Sequence, residues 1–361
     1  MTVHHLRIDA LDPYARGEHI GRATAGAIAD NLRSYGLLFD AVKVSRGDLP
    51  AFGAAAIDRV AGWAPGLVRE WEGIAAGAAV DLWQIGMLNA RTEILATGEL
   101  TEAAECSAAV FVPEEGAPRS VQTWDWNEAL GGALYLVTHE VEGGARLRYF
   151  TEAGITGKIG LASRAGDGAV GVHLNMLRHE SDGEGIGVPV HTVARRLLEC
   201  ADSPESAVAI ARSADVSASS ALTVVGFTSG RSWAVTLEIS PAGVAVHTPD
   251  EGGILVQTNH FVDPGLARGD LAWKTSDTWA RRTVLEQRRE LLRSPRPDDR
   301  FAFLRRHPED GAGVCSHPDP ALPFEERWST LITIDVDYER HVLRHVDAGP
   351  CRHDDLGHRT F

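Results

Sequence analysis

Cysteine is the residue type in this chain with most to offer chemically, because a thiolate is both a nucleophile and a metal ligand. There are four cysteines, Cys106, Cys200, Cys315 and Cys351, irregularly spaced and with no CxxC pair. That pattern signals neither a disulfide framework nor a zinc site. Cys106 stands out by position. It follows a loop at 101–105 and lies in ECSAAVF, where the small residues Ser107, Ala108 and Ala109 let backbone approach closely. A cysteine so placed can attack a carbonyl and hold the acyl group as a thioester. The ordinary alternative is a small buried hydrophobe. His341 and His345, with Cys351, His353 and His358 after them, read as a polar tail, since their spacing matches no known ligand set. GEGIG at 183–187 lacks the strand-to-helix setting of a dinucleotide loop.

The elements that must position Cys106 are legible as changes of texture. Residues 1–100 read as helical. Ile20, Ala23, Ala27, Ile28, Leu32 and Leu37 recur close to helical spacing, and further helices fall at 51–63, 67–76 and 81–96. Trp63, Trp71 and Trp83 recur in this part and read as core, with one of them a possible pocket wall. From Cys106 the chain turns to short β-branched and aromatic runs, CSAAVFV, SVQTWDW, ALYLVTHEV, RLRYFTEA and GAVGVHLNML, separated by Gly and acidic turn residues. Helices follow at 189–200, with Pro189 in the first turn, and at 203–214, capped by Ser203. Strands are expected at 221–227, 232–240 and 243–249, with 252–261 a further candidate. Helices return at 277–294 and 298–306. The Pro/Gly/Asp stretch 307–323 is the best linker candidate, and 329–337 with 340–346 alternate like a hairpin. This order predicts layered α and β structure with a mainly antiparallel sheet.

Composition sets the limits. The 361 residues are 44% hydrophobic and 24% charged, enough for a large core without disulfide or metal staples. A net charge of -15 argues against a nucleic-acid partner. Only three of the 35 basic residues are lysine. The N-terminus lacks the basic-then-apolar pattern of a secretory signal, and no apolar run is long enough for a membrane span. The expectation is a soluble, cytoplasmic protein with no membrane partner.

Several blocks in order match a known pattern. ECSAAVF (105–111) followed by QTWDWN (122–127) resembles the acyl-CoA:6-aminopenicillanate acyltransferase family (peptidase family C45), autoproteolytic acyltransferases and amidohydrolases of the N-terminal-nucleophile (Ntn) class. LNARTEIL (88–95), TEAGITGKIG (151–160), VHLNML (172–177), PVHTVARRLLE (189–199), TNHF (258–261) and ERWSTLITIDVD (326–337) extend the likeness over about residues 15–350. The resemblance implies an α+β fold, an Ntn-hydrolase-type αββα sandwich with an added N-terminal helical segment. Self-cleavage between Glu105 and Cys106 would divide the chain into an N-terminal helical segment, 1–105, and a nucleophile-bearing unit, 106–361, its partner subunit. The freed α-amine of Cys106, with an ordinary pKa of ~7.7–8.0, could then serve as general base for the thiol beside it.

The same resemblance implies roles for three further residues. Asp125 orients and charge-balances the nucleophile, Asn259 stabilises the oxyanion with Asn175 next in line, and Arg327 tunes the thiol, with Arg281 and Arg282 competing for that role. No metal and no cofactor are implied. The expected substrate is a small amide or an acyl-CoA-like molecule. Amide hydrolysis is preferred because water is always available, and acyl-CoA-dependent N-acyl transfer is the alternative. A catalytically silent binding protein of the same fold and an unprocessed cysteine hydrolase using His260 as base are two further readings. Thr123 and Ala162 stand where relatives often carry Asn, which bears on substrate class more than on mechanism.

Overall fold

The computed structural model describes residues 2–99, 106–164, 166, 168–272 and 276–361, without the side chain of Glu325. Glu105, the expected cleavage-site residue, lies outside the described residues. The chain opens with β1 (His4–Arg7), then α1 (Pro13–Ala41), α2 (Leu49–Trp63), α3 (Pro65–Ala78), α4 (Leu82–Asn89) and α5 (Arg91–Ala96). Strands follow: β2 (Ser107–Phe111), β3 (Arg119–Asn127), β4 (Leu134–Glu140), β5 (Arg146–Glu152), β6 (Ile159–Ser163) and β7 (Ala169–Met176). Next come α6 (Val190–Cys200), α7 (Pro204–Ser213), β8 (Ser220–Thr228), β9 (Arg231–Ser240), β10 (Gly243–His247) and β11 (Ile254–Gln257). The chain ends with α8 (Thr278–Gln287), α9 (Arg289–Arg293), α10 (Pro297–Leu304), β12 (Trp328–Asp337), β13 (Val342–Val346), α11 (His353–Leu356) and β14 (Arg359–Thr360).

The strands form two sheets, in the orders β1-β4-β5-β6-β7-β8-β9-β10 and β11-β2-β3-β12-β13-β14. β2 and β7 face each other across the gap between the sheets, α6 and α7 cover the first sheet, and α8, α9 and α10 cover the second. This is the expected αββα order. Strands covered on both faces should read as continuous apolar runs without alternation. β7 is buried at every position, which is why GAVGVHLNML shows no period of two. Polar groups between the sheets pair with one another. His173 bonds Gln122 at 3.0 Å and Ser120 at 2.7 Å, and the Ser120 hydroxyl meets that of Tyr338 at 2.7 Å.

The N-terminal part differs from its sequence reading in one respect. It begins with a strand, and β1 pairs parallel with β4, His4 opposite Tyr135 and Arg7 opposite Thr138. HHLR is too short and polar to show strand periodicity, so β4 supplies the pairing that defines it. The helices then pack closely through glycine. A Cβ on Gly17 of α1 would stand 2.0 Å from the Glu70 carbonyl oxygen, and one on Gly73 of α3 would stand 2.1 Å from that of Tyr14. Neither backbone can give way without separating the helices. Gly73→Ala should therefore lower stability by ~2–4 kcal/mol, at or above the usual cost of overpacking. Gly26→Ala on the same pair of helices, with nothing within 4 Å of the new Cβ, should raise it by ~0.5–1 kcal/mol through helix propensity. Paired thermal melts check both signs.

Candidate active site

Cys106 immediately precedes β2 and is 3% exposed. Its Sγ lies 3.8 Å from the Asp125 carbonyl oxygen on the neighbouring strand β3. The carbonyl oxygen of Cys106 accepts two hydrogen bonds, from Asn175 Nδ2 and Arg281 Nη1, each at 3.0 Å. Burial, and next the Asp125 charge, push the thiol up to about 12, while Arg281 and Lys158 pull it down. In the intact chain the sulfur is therefore a neutral thiol near pH 7, and a base must take its proton before it can attack.

Each neighbour is set by its element. Asp125 is fully buried on β3, opposite Thr330 of β12. The ladder shifts register between Thr330 and Ile332. Irregularities of this kind bend a strand and re-aim its side chains. Asn175 projects from β7 across the inter-sheet gap, and its Nδ2 also reaches the Gln257 carbonyl at 3.3 Å. Arg281, in the first turn of α8, is fully buried and acts as a hub. It donates to Ser107 Oγ at 2.9 Å, Asn259 Oδ1 at 3.2 Å and Asp277 Oδ1 at 2.7 Å, besides the Cys106 carbonyl.

The structure brings Cys106, Asp125 and Asn259 into one neighbourhood, but it departs from the sequence expectation for two residues. The Arg327 guanidinium binds the carbonyls of Leu322 and Pro320 at 2.9 and 3.1 Å and lies 3.6 Å from Glu128. It is thereby committed to the loop preceding β12, and Arg281 is the arginine that reaches Cys106. Asn259 turns its N–H to the Met176 carbonyl at 2.8 Å, whereas the Asn175 amide points at the nucleophile residue. His260 faces Thr258 and Thr278 through Nδ1 at 3.2 and 2.9 Å and stacks on Trp279. No hydrogen bond among the described residues joins it to Cys106.

Sequence reasoning gave no role to a buried charge network alongside. Glu152 binds Arg91 at 3.2 Å, Lys158 and the Tyr35 hydroxyl, and all four residues are inaccessible. Lys158 Nζ sits 4.1 Å from the Trp124 ring centroid. Burial, then Arg91, lower its pKa to about 7. The scarcity of lysine was an available signal: one of only three is wholly buried, within TEAGITGKIG. Trp71 is core, as expected, and donates to Thr156 at 3.0 Å.

A second buried acid titrates the other way from an ordinary ion pair. Glu93 of α5 accepts the Val190 N–H at 2.8 Å. Burial, chiefly, raises its pKa from 4.5 to about 7. The folded state thus holds a proton that the unfolded state releases, so stability falls as pH rises from about 4.5 to about 7 and is level above. The shift corresponds to up to ~3 kcal/mol. Glu93→Gln should match wild type below pH 4.5 and exceed it by up to that amount at pH 8. Urea unfolding of both proteins at the two pH values measures the difference.

Two sheets packed face to face between helical layers, with a cysteine leading a strand of one of them, are the αββα arrangement of the N-terminal-nucleophile fold class. Residues 113–297 match the family described as acyl-coenzyme A:6-aminopenicillanic acid acyl-transferase. Over 280 residues, 76% of this chain and 74% of the relative, the sequence is 31% identical to the acyl-coenzyme A:6-aminopenicillanic-acid-acyltransferase 40 kDa form of Emericella nidulans. The chain belongs to that family. Among solved structures, a variant of conjugated bile acid hydrolase from Clostridium perfringens matches at TM-score 0.43 with 11% identity, over 71% of this chain and 96% of that one. Another variant of the same enzyme matches at TM-score 0.39 with 10% identity, over 70% and 96%. Among the described residues no helix is long and apolar enough to cross a membrane.

Proposed function

We propose that this protein is a self-cleaving N-terminal-cysteine enzyme that hydrolyses a small amide, or transfers its acyl group, through a thioester on Cys106. The observation that carries the reading is the setting of Cys106 at the head of β2, its carbonyl gripped by Asn175 and Arg281 and its sulfur beside Asp125. In the first step the sulfur gives up its proton and attacks the carbonyl carbon of Glu105, the peptide nitrogen receives that proton and leaves as the α-amine of Cys106, and water opens the resulting thioester. The freed amine, with an ordinary pKa of ~7.7–8.0, then takes the proton of the adjacent thiol. The thiolate attacks the substrate carbonyl, the amine of the substrate departs with that proton, and water or an acceptor releases the acyl group.

Supporting charges follow from the geometry. Arg281 offsets Asp125 next to the sulfur, and a side-chain amide N–H aimed at the developing oxyanion is worth several kcal/mol. Asn175 gives its amide to the Cys106 and Gln257 carbonyls and so fixes the backbone of the nucleophile. Asn259 serves once its Met176 bond is exchanged. Segment 1–105 remains as a second subunit, bound through β1 and the helices. Acyl transfer to an amine acceptor, with an acyl-CoA-like donor, is the second reading, favoured by the name of the 31% identical relative.

Intact-mass spectrometry of the purified protein tests the proposal. The expected result is two species of 105 and 256 residues, numbered from the full chain. Incubation with an activated acyl ester should add the acyl mass to the larger one. A single uncleaved species that never acylates would overturn it.

A further inference from the structure

The stretch 307–323, expected from the sequence to be a linker, folds back against the C-terminal turn at Pro350–Arg352. Four potential metal ligands meet there: His307, Cys315, His317 and Cys351, with one donor atom from each lying within 4.8 Å of all the others. His317 Nε2 is at the centre. It lies 3.2 Å from His307 Nε2, 3.7 Å from Cys315 Sγ and 3.5 Å from Cys351 Sγ. A single ring nitrogen makes one hydrogen bond, so three polar partners exceed what hydrogen bonding can use. The separations have another meaning. A tetrahedron with metal–nitrogen bonds of ~2.05 Å and metal–sulfur bonds of ~2.3 Å has edges of about 3.3 Å between nitrogens and about 3.6 Å between nitrogen and sulfur. The observed distances are those edges.

We propose that His307, Cys315, His317 and Cys351 bind one zinc ion as a closed, structural two-cysteine, two-histidine site. Two thiolates and two imidazoles in a tetrahedron favour zinc over calcium or magnesium, which take oxygen. Binding releases two thiol protons to solvent and changes no oxidation state, and the ion with two thiolates is neutral overall. The surroundings suit the assignment. Glu309 Oε1 lies 3.8 Å from His307 Nδ1, the ring nitrogen not facing His317, beyond hydrogen-bond distance. Gly349 makes room for the buried sulfur, since a Cβ there would come within 2.6 Å of Cys315 Sγ. With four protein ligands, no position is left for substrate or water, so the ion does not join the chemistry at Cys106.

Its place in the fold gives it a structural consequence. The loop it would tie down carries Gly313, whose N–H bonds Asp277 Oδ2 at 2.6 Å, and Asp277 holds Arg281 at 2.7 Å. The zinc therefore pins the loop that buttresses the arginine on the Cys106 carbonyl.

The test is metal analysis of the full chain purified under reducing conditions without chelator. One zinc per chain is expected. Cobalt titrated into chelator-stripped protein should give thiolate-to-cobalt charge transfer and intense tetrahedral d–d bands. Cys351→Ser and His317→Gln, at partly exposed positions, should fold and lower cobalt affinity by more than about 100-fold, since partners one shell further out already cost 10–100-fold. Substoichiometric zinc together with no cobalt bands in the reduced protein would overturn the proposal. So would a chain purified two hydrogens lighter, with Cys315 joined to Cys351 and no metal. Neither outcome bears on cleavage at Cys106, which is read separately by mass.

Discussion

Replacing Cys106 by alanine should leave one 361-residue chain under conditions where the wild type separates into two. The sulfur is the nucleophile of the first step, so its loss removes that step outright and leaves no slower route. The fold should persist. The alanine deletes one buried atom from a site already lined by Ser107, Ala108 and Ala109, a small cost beside the usual large-to-small penalties. Denaturing gels and intact mass read the outcome. Cleavage of the alanine variant at the wild-type rate would remove Cys106 from the reaction. A chain that stays whole but melts like wild type would support the assignment. Brief iodoacetamide labelling complements it. Cys106 should react slowly in the uncleaved chain, where burial and Asp125 hold the thiol up to about 12. After cleavage, its own amine takes the proton and it should outpace Cys200, Cys315 and Cys351.

Arg281→Gln should reduce turnover by about 10²–10³-fold, the scale of losing one preorganised charge beside the reacting group, while Arg327→Gln stays within about twofold on the exposed-pair scale. The contrast separates two arginines that sequence alone could not rank. Arg281 is fully buried and bonds four partners around Cys106; Arg327 is partly exposed and bonds loop carbonyls. The readout is kcat against melting temperature, which separates loss of charge from loosening of the fold. Arg281→Lys, which keeps the charge and loses the fork, should recover part of the rate if charge near the sulfur matters. Equal losses for Arg281→Gln and Arg327→Gln would return the role to Arg327.

The αββα layering and the place of Cys106 were legible because texture changes at that residue and because blocks recur in order. What was not legible depended on distance and direction. β1 was missed because four residues, three of them polar, have no period of their own. Arg281 and Cys106 are 175 positions apart, and in a chain with so many arginines residue type cannot choose among them. Asn259 accepts from Arg281, but the direction of its amide N–H is decided by the Met176 carbonyl, which no motif encodes. His307, Cys315 and His317 fell in a stretch whose composition read as linker, and Cys351 in a presumed tail. Their spacing resembles no familiar ligand set because the site closes through a fold-back and not through a local motif.

The parallel strand at the N-terminus has a consequence for the life of the molecule. β1 belongs to the segment before Cys106, yet its ladder partner β4 lies after it. A cut between residues 105 and 106 leaves those hydrogen bonds and the buried helix contacts intact, so the two pieces remain one body. The covalent memory of how they came together is gone, however. On the proposed cleavage, the uncut protein would assemble as a single chain, at a rate indifferent to concentration, whereas the cut and denatured one would have to find its partner by collision. Recovery from denaturant should then become second order for the processed form and stay first order for the uncut one. Maturation would make the native state a one-way destination in dilute solution.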